Sequence, residues 1–209
     1  MVEKSKVYEG EPIRTTILRL VLAAQICASA IVAGFIIAAG GGIIRLPEPW
    51  HTAYLTVVKS TIYFPSAAIV CLVVWVFRAN KNATALSSQP LDHSPGWAVG
   101  WFFVPFASLW KPYEVMREIY KASRTPHDWR KAQGAAIIGW WWADYVFGNL
   151  SGLLLKGMSA LHETVPLRGF SIFLYANVIL HQLLLLLIVG RIVKWQAKAH
   201  RDDGVEAIF

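Results

Sequence analysis

The sequence predicts an all-α protein that crosses a membrane, and three observations support this fold class. Only 16% of the 209 residues are charged and 56% are hydrophobic, whereas a soluble domain has about 25% charged residues. Four windows are long enough and apolar enough to cross roughly 30 Å of hydrocarbon as helices, which takes about 20 residues each. The period-2 alternation that is typical of membrane β-barrels is absent from the chain. We therefore expect a bundle of four transmembrane helices.

The four predicted spans follow the longest apolar runs. They are Leu20–Ile44, Ser60–Phe77 with the apolar lead-in Tyr54–Val58, Gln133–Leu155 and Gly169–Gly190. Only the third of them holds a charged residue, Asp144. We interpret residues 17–200 as one helical membrane domain, residues 1–16 as a polar N-terminal tail and residues 201–209 as a short C-terminal tail. Residues 79–95 are predicted to form a polar inner loop.

The distribution of basic residues predicts the topology. The net charge is +7, which in a soluble protein would favour a nucleic-acid partner. With the N-terminus placed inside, sixteen of the twenty Lys and Arg residues fall on the cytoplasmic side, as the positive-inside rule requires. We therefore predict a multi-pass protein of the bacterial inner membrane with both termini in the cytoplasm. The basic residues would also hold anionic lipid, and nucleic acid is not expected as a partner.

The stretch from Ser94 to Arg124 is the most informative part of the chain. Its first half, residues 97–110, is apolar and Trp-rich but gives only about 14 residues before Lys111, and runs of that length are more often re-entrant or interfacial than spanning. A fifth span is the alternative, but it would place Arg117 and its basic neighbours outside. A re-entrant backbone must be covered by protein, because lipid cannot satisfy its N–H and C=O groups. We therefore expect the spans to surround this segment.

The second half of that stretch predicts an amphipathic surface helix. Pro112 suits the first turn of a helix. The charged residues that follow share one face, and the apolar and aromatic residues share the other; these are Glu114, Arg117, Glu118, Lys121 and Arg124, against Tyr113, Met116, Ile119 and Tyr120. This pattern is typical of a helix lying in the membrane plane, with a helix packed on the protein's own underside as the alternative. The charged face is expected to be solvated.

The candidate functional segment combines these two halves. Its members are Trp97, Trp101, Pro105, Trp110, Pro112, Tyr113, Glu114, Arg117 and Glu118.

Small residues recur every four positions in two predicted spans. Ala30, Gly34, Ala38 and Gly42 form one stripe, and Gly148-x-x-x-Gly152 forms another. Such stripes let a second helix approach closely. The neighbour is either another helix of the same chain or a partner, namely a second copy or another membrane protein.

The sequence from Ser94 to Ser123, SPGWAVGWFFVPFASLWKPYEVMREIYKAS, resembles the signature of a bacterial membrane family known as domain of unknown function 4328. The elements Trp-Phe-x-x-Pro and Lys-Pro-Tyr carry the resemblance. Residues 79–83 precede them after a span, and the tryptophans of residues 140–142 follow. The similarity extends over roughly residues 17–200. It implies an integral membrane protein of about four helices and implies no activity.

Three polar residues inside predicted spans form a second candidate site. Asp144 is a carboxylate at membrane depth, which is costly and often functional. Asn177 and His181 are four residues apart and share one helix face. The three side chains either form a proton, cation or ligand site or act as a hydrogen-bond clamp between helices. Haem ligation by His181 would need a second histidine within a span, and the other five lie in loops or tails, so no cofactor is predicted.

No catalytic or metal-binding motif is present. The chain has no GxxxxGK, HExxH or GxSxG sequence and no cluster of Cys and His with metal-ligand spacing. The leading hypothesis is a non-enzymatic membrane component that binds lipid or a protein partner. One alternative is a small transporter or channel-like protein with Asp144, Asn177 and His181 facing one polar cavity. The other is a membrane-embedded enzyme that uses His127 with Glu114 or Glu118 in a cytoplasmic cleft.

Overall fold

The computed structural model describes residues 12–38, 50–161 and 167–206, and within those ranges all regular structure is helical. The helices are α1 Pro12–Ala38, α2 Trp50–Leu86, α3 Pro95–Gly100, α4 Lys111–Arg124, α5 Ala136–Leu161 and α6 Leu167–Glu206, with one 3₁₀ turn at Ala107–Leu109. The last residues of the first predicted span, 39–44, lie outside the described residues, as do residues 1–11 and 207–209 of the two predicted tails.

Three helices of the described chain are long and apolar enough to cross a membrane. They are Pro12–Ala38, the Pro65–Leu86 part of α2 and the Gly169–Asp202 part of α6. Helix α5, which contains most of the third predicted span, is not among these three. It has 26 residues, but its tryptophans at 140–142 together with Asp144 and Asn149 lower its mean hydropathy. The prediction of an all-α fold is thus confirmed, and three of the described helices are able to cross a membrane by length and composition.

Helix α2 extends well beyond the predicted span. It passes through Pro65 and continues to Leu86, so the prediction of a polar loop beginning at Ala79 is wrong for residues 79–86. Ala79, Ala83 and Leu86 are buried at helical spacing, which anchors this last stretch. Asn80 is also buried, and its amide donates to the carbonyl of His93 at 3.1 Å. A polar composition here indicates buried hydrogen bonding and not a loop.

The ends of the first and last helices also enter the predicted tails. Helix α1 begins at Pro12, with Thr15 buried, and α6 continues to Glu206. Residues 12–16 and 201–206 are therefore helical. The small-residue stripe of α1 lies on the outside, because Ala30, Gly34 and Ala38 are exposed and a Cβ at Gly34 would meet no atom within 4 Å. Gly42 lies outside the described residues.

The chain divides into two compact units. Unit 1 comprises residues 1–18, 70–140 and 186–209, and unit 2 comprises residues 19–69 and 141–185. The core of unit 1 is built from apolar residues of α2, α4 and α6, including Trp75, Val115, Met116, Ile119 and Ile192. In unit 2 the buried residues include polar ones, notably Gln25, Ser29 and Gln182. The Gln182 amide donates to Gln25 Oε1 at 2.8 Å.

The Trp-rich segment, defined here as residues 94–110, does not form a long helix. Helix α3 has six residues, turns follow, and the 3₁₀ turn leads to Trp110, after which α4 starts. A fifth helical span through residues 97–121 is therefore not formed. Phe103 is 68% exposed and Phe106 is 79% exposed, so the expectation that other helices cover this segment fails at these side chains.

Candidate functional site

Helix α4 packs its apolar face into unit 1. Eight of its fourteen residues are buried, among them Val115, Met116 and Ile119. The buried Gln196 of α6 donates to Ser123 Oγ and to the carbonyl of Ala79, both at 2.9 Å. The apolar face of α4 therefore packs against its own protein, which is the alternative that the sequence left open beside a helix lying in the membrane plane.

The prediction that the charged face of α4 is solvated is wrong for Glu118. Its side chain is only 5% exposed, and its carboxylate accepts hydrogen bonds from three donors of the preceding loop. These donors are the backbone N–H of Asp92, the backbone N–H of His93 at 3.4 Å and His93 Nδ1 at 2.6 Å. A buried carboxylate is stable only when it is bonded in this way. We name this arrangement the Glu118 clasp. It leaves the carboxylate engaged, so Glu118 is poorly suited to act as a catalytic base.

The loop before the Trp-rich segment is also tied to the chain that follows α4. Asp92 pairs with Arg130 at 2.5 Å, and Ser87 Oγ donates to the carbonyl of Pro126 at 3.0 Å. Ser88 Oγ lies 3.0 Å from His127 Nδ1. These bonds hold the start of the Trp-rich segment in a defined position. His127 takes part in this tie and is absent from the lining of the cavity described next.

A cavity of about 590 Å³ opens where this loop, α3 and the start of α4 meet. Its lining residues are Asp92, His93, Ser94, Trp97, Trp101, Lys111 and Glu114. The volume lies within the range of about 300–1,000 Å³ that is usual for small-molecule sites. The wall therefore combines two indole rings with groups of both charge signs.

The charged and aromatic groups of the cavity contact one another directly. Lys111 Nζ lies 2.5 Å from a Glu114 carboxylate oxygen and 5.6 Å from the centroid of the Trp101 ring. The Trp97 and Trp101 rings are 4.8 Å apart between centroids. An ammonium group within about 6 Å of an indole centroid is attracted by the π-electrons. The ring of Trp101 thus already accepts a cation in this structure.

Beyond the cavity, the Trp-rich segment turns sharply and exposes its apolar side chains. Phe106 has φ +63° and ψ −51°, and the N–H of Ala107 donates to the carbonyl of Pro105 at 2.7 Å. This is a γ-turn of the rare, strained type, and such a backbone costs about 1–3 kcal/mol. The exposed large side chains of the segment are Trp97, Phe103, Phe106, Leu109 and Trp110. A strained turn that displays apolar groups points to a role outside internal packing.

The outer face of α4 is positively charged. Arg117 and Arg124 are exposed. Burial lowers the pKa of Lys121, and the neighbouring Arg117 lowers it further. Arg124 Nη1 donates to the carbonyl of Gln133 at 3.2 Å, so part of this face also stabilises the chain between α4 and α5.

The predicted polar residues of unit 2 converge. Asn177 Nδ2 donates to Asp144 Oδ1 at 2.8 Å, and His181 Nδ1 lies 3.4 Å from Asp144 Oδ2. A Cβ placed on Gly148 would collide with the amide oxygen of Asn177, which explains one glycine of the Gly148–Gly152 pair. Gly152 has open space around it.

Aromatic rings surround this polar cluster. Trp141 stacks on His181 with 5.5 Å between centroids, and Tyr145 lies 5.8 Å from the same imidazole. Asp144 Oδ2, His181 Nδ1 and Trp141 Nε1 are buried and form no hydrogen bond within the described part of the chain. The 3.4 Å separation of the first two is longer than the usual 2.7–3.2 Å. We therefore describe the cluster as one hydrogen bond and one loose carboxylate–imidazole contact.

The model of the family described as "Domain of unknown function (DUF4328)" matches residues 51–194. This protein belongs to the DUF4328 family. No curated protein and no solved structure matches the chain.

In this DUF4328 protein the predicted functional segment separates into three environments. Trp97, Trp101 and Glu114 line the cavity, and Glu118 lies in the clasp. Pro105, Trp110 and Arg117 are exposed, Pro112 is buried and Tyr113 is half-buried. The predicted functional segment is thus not one continuous surface. Part of it lines the cavity, part of it forms an exposed turn, and part of it packs against the protein as helix α4.

Four residues that line the cavity of this DUF4328 protein are absent from the predicted site, namely Asp92, His93, Ser94 and Lys111. The sequence places Asp92 and His93 in a polar loop, and Lys111 contributes there only to the topology. A short-range signal for the first two was present, since they stand directly before Ser94 and Pro95, where Ser94 caps α3. Within the described residues, no group of three or more His, Cys, Asp or Glu side chains is placed to hold a metal ion.

Proposed function

We propose that this protein is a non-enzymatic component of the bacterial inner membrane that binds lipid through its Trp-rich segment at the cytoplasmic surface. The observation that carries the proposal is the exposure of Trp97, Phe103, Phe106 and Trp110 on an irregular turn beside a charged cavity. Apolar surface gains about 25 cal/mol for each Å² removed from water. A lipid surface is the partner that would supply this gain.

The irregular backbone sets the depth of the segment. Unpaired backbone groups are not tolerated against lipid within the hydrocarbon core, and large side chains of this segment, among them Phe103 and Phe106, are not covered by the protein. Tryptophan is enriched at the boundary between headgroups and hydrocarbon. A position at the membrane interface satisfies both conditions. We therefore propose an interfacial segment and not a re-entrant one.

The proposed topology has four spans, namely the three apolar helices given above and, in addition, α5. Helix α5 has 26 residues, or about 39 Å at 1.5 Å per residue, which exceeds the hydrocarbon thickness of about 30 Å. Its exposed side chains include Phe147, Leu150, Leu153 and Leu154, as expected of a helix in contact with lipid. With the N-terminus inside, the basic face of α4 lies in the cytoplasm, where anionic lipid attracts it.

Depth-dependent quenching tests the lipid contact. The full chain, with Cys27 and Cys71 replaced by Ala, receives one cysteine at Phe106 or, as the control, at exposed Ser88, which lies in a loop outside the proposed spans. Each cysteine carries a fluorophore, and the protein is reconstituted in bilayers with brominated acyl chains. We expect strong quenching at position 106 by bromines near the headgroups and little quenching at position 88. Equal, weak quenching at both positions would refute lipid contact.

Labelling from each side of the membrane tests the topology. Ser88 and Thr125 are exposed and flank the Trp-rich segment and α4, so both are suitable for single cysteine probes. Ser87 and Ser123 are buried and would give no signal. We expect both probes to react only from the cytoplasmic side. Reaction of Thr125→Cys from the opposite side would overturn the proposed topology.

The convergence of Asp144, Asn177 and His181 favours a second candidate function, a small transporter or channel-like protein for protons. A carboxylate and an imidazole 3.4 Å apart can share or pass a proton between them. Proteoliposomes with a trapped pH indicator measure the flux. We expect Asp144→Asn to lower it at least tenfold and Asn149→Ala, on an exposed part of α5, to leave it unchanged. Flux equal to that of empty liposomes would eliminate this candidate.

A further inference from the structure

We propose that the cavity beside α3 binds the phosphoethanolamine headgroup of a zwitterionic phospholipid. This inference rests on the proposed lipid-binding function and names the lipid class. It starts from the composition of the wall, which presents an ammonium group, two carboxylates and two indole rings around about 590 Å³. A ligand with one sign of charge would be attracted by part of this wall and repelled by the rest.

Each half of the headgroup has a counterpart in the wall. Lys111 carries the positive charge for a phosphate, and Glu114 carries the negative charge for a primary ammonium. These two groups now pair with each other at 2.5 Å, with 29% and 42% of their side chains exposed. An exposed ion pair contributes little to stability, so exchanging it for two charge-assisted hydrogen bonds to a ligand costs little.

The indole rings add selectivity for the ammonium half. The ring of Trp101 already lies under Lys111 Nζ at 5.6 Å, and Trp97 stands 4.8 Å away. An incoming ammonium can take the same kind of position on a ring face. Both carboxylates of the wall are paired at 2.5 Å, Asp92 with Arg130 and Glu114 with Lys111. Only Glu114 loses its partner when Lys111 turns to the phosphate, because Arg130 does not line the cavity and stays with Asp92.

The acyl chains explain why the ligand is a lipid and not a soluble phosphate ester. Trp97 lines the cavity and is also exposed, and it lies in the same segment as exposed Phe103 and Phe106. A lipid whose headgroup enters the cavity would therefore find apolar side chains on the segment that forms its wall. A phosphatidylglycerol headgroup would leave Glu114 opposed by negative charge. A phosphatidylcholine headgroup would suit the rings but cannot donate a hydrogen bond to Glu114.

Native mass spectrometry of the detergent-purified full chain tests the inference. Phosphatidylethanolamine, phosphatidylglycerol and phosphatidylcholine with identical acyl chains are added separately, and free O-phosphoethanolamine is added in a fourth arm. We expect phosphatidylethanolamine to bind most tightly. The variants Lys111→Gln and Glu114→Gln should each weaken that binding about tenfold, which corresponds to the loss of one charged contact.

A matched control is available in the same unit. Lys131 pairs with Asp128 at 2.9 Å with the same three-residue spacing as the cavity pair, and neither residue lines the cavity. Lys131→Gln should therefore leave phosphatidylethanolamine binding unchanged. If Lys111→Gln binds the lipid as well as the wild type does, or if Lys131→Gln weakens binding equally, the cavity is not the site and the inference is refuted.

The remaining outcomes separate this inference from the proposed function. Equal or tighter binding of phosphatidylglycerol would refute the headgroup assignment. Binding of free O-phosphoethanolamine as tight as that of the lipid would refute a lipid ligand in favour of a soluble one. If the probe at position 106 is quenched by brominated lipid while no headgroup is selected, the lipid-contact function stands and this inference fails. If that probe is not quenched, the proposed function itself fails.

Discussion

The Trp-rich segment and helix α4 are neighbours in sequence, yet their environments are opposite to what their compositions indicate. The segment of residues 94–110 is largely apolar and exposes large side chains such as Phe103 and Phe106. Helix α4 carries many charges, and yet most of its residues are buried. In a membrane protein, an apolar side chain can avoid water either in the protein core or against lipid. Hydrophobicity alone therefore does not distinguish these two environments. The spacing of the apolar residues along α4 shows which face of this helix packs against the core.

The largest expected effect comes from removing the Glu118 clasp. Glu118→Ala leaves three donors without their buried acceptor, and we expect the free energy of unfolding to fall by about 4 kcal/mol. Denaturant titration in mild detergent, followed by tryptophan fluorescence, measures it. Glu114→Ala, one turn earlier and partly exposed, is the matched control and should cost less than 1 kcal/mol. A loss below 1 kcal/mol in both variants would mean that both glutamates are solvated and that the clasp does not form.

A pair of apolar truncations compares the two regions directly. Ile119→Ala removes a fully buried side chain of α4 and should lower the free energy of unfolding by about 3 kcal/mol. Phe103→Ala removes a larger side chain from the Trp-rich segment, but that side chain is 68% exposed, so the change in detergent should stay near 0.5 kcal/mol. The same titration measures both variants. A larger loss for Phe103→Ala would show that the segment is packed and not displayed.

A smaller effect is expected at Gln196, which joins three helices of unit 1. Gln196→Ala removes the hydrogen bonds to the carbonyl of Ala79 and to Ser123 Oγ, and we expect a loss of about 2 kcal/mol. Lys198→Ala, on an exposed face of the same helix, is the control. Differential scanning fluorimetry of the two variants suffices, and unfolding temperatures that do not differ would show that the Gln196 contacts contribute nothing.

The smallest change in stability has the opposite sign. Phe106→Gly relieves the strained γ-turn at φ +63° and should raise the free energy of unfolding by up to about 1 kcal/mol. The same variant loses an exposed aromatic side chain, so its association with lipid should weaken. Thermal unfolding in detergent and quenching by brominated lipid, read at a fluorophore on Phe103→Cys in the Cys-free background, measure the two effects. A variant that is less stable than the wild type would show that Phe106 serves internal packing.

The parts of the fold that the sequence predicted are those governed by local periodicity. The helix of residues 111–124 followed from its apolar spacing. The approach of Asn177 and His181 to Asp144 followed from the cost of leaving polar groups against lipid. The helical extension of α2 to Leu86 was missed because its asparagines look like loop residues, although Ala79, Ala83 and Leu86 repeat at helical spacing. The burial of that extension depends on partners distant in sequence.

The cavity was beyond the reach of the sequence for a similar reason. His93 and Glu118 are separated by 25 positions, and no spacing rule joins a loop histidine to a helix glutamate over that distance. Once the clasp is known, the position of Lys111 and Glu114 opposite Asp92 follows. The exposure of Phe106 could not be predicted either, because lipid and protein interiors favour the same side chains.

The clasp between His93 and Glu118 has a consequence for entropy. It closes a loop of about 25 residues that contains the whole Trp-rich segment and the start of α4, much as a covalent cross-link would. Loop closure of this length removes many conformations from the free chain. The conformational cost of presenting the aromatic side chains is thus met during folding and not at the moment of contact. Under the proposed lipid-binding function, a chain with the same tryptophans and phenylalanines but without the clasp would have to order this loop at each contact with a membrane, and it would bind more weakly with no contact residue changed.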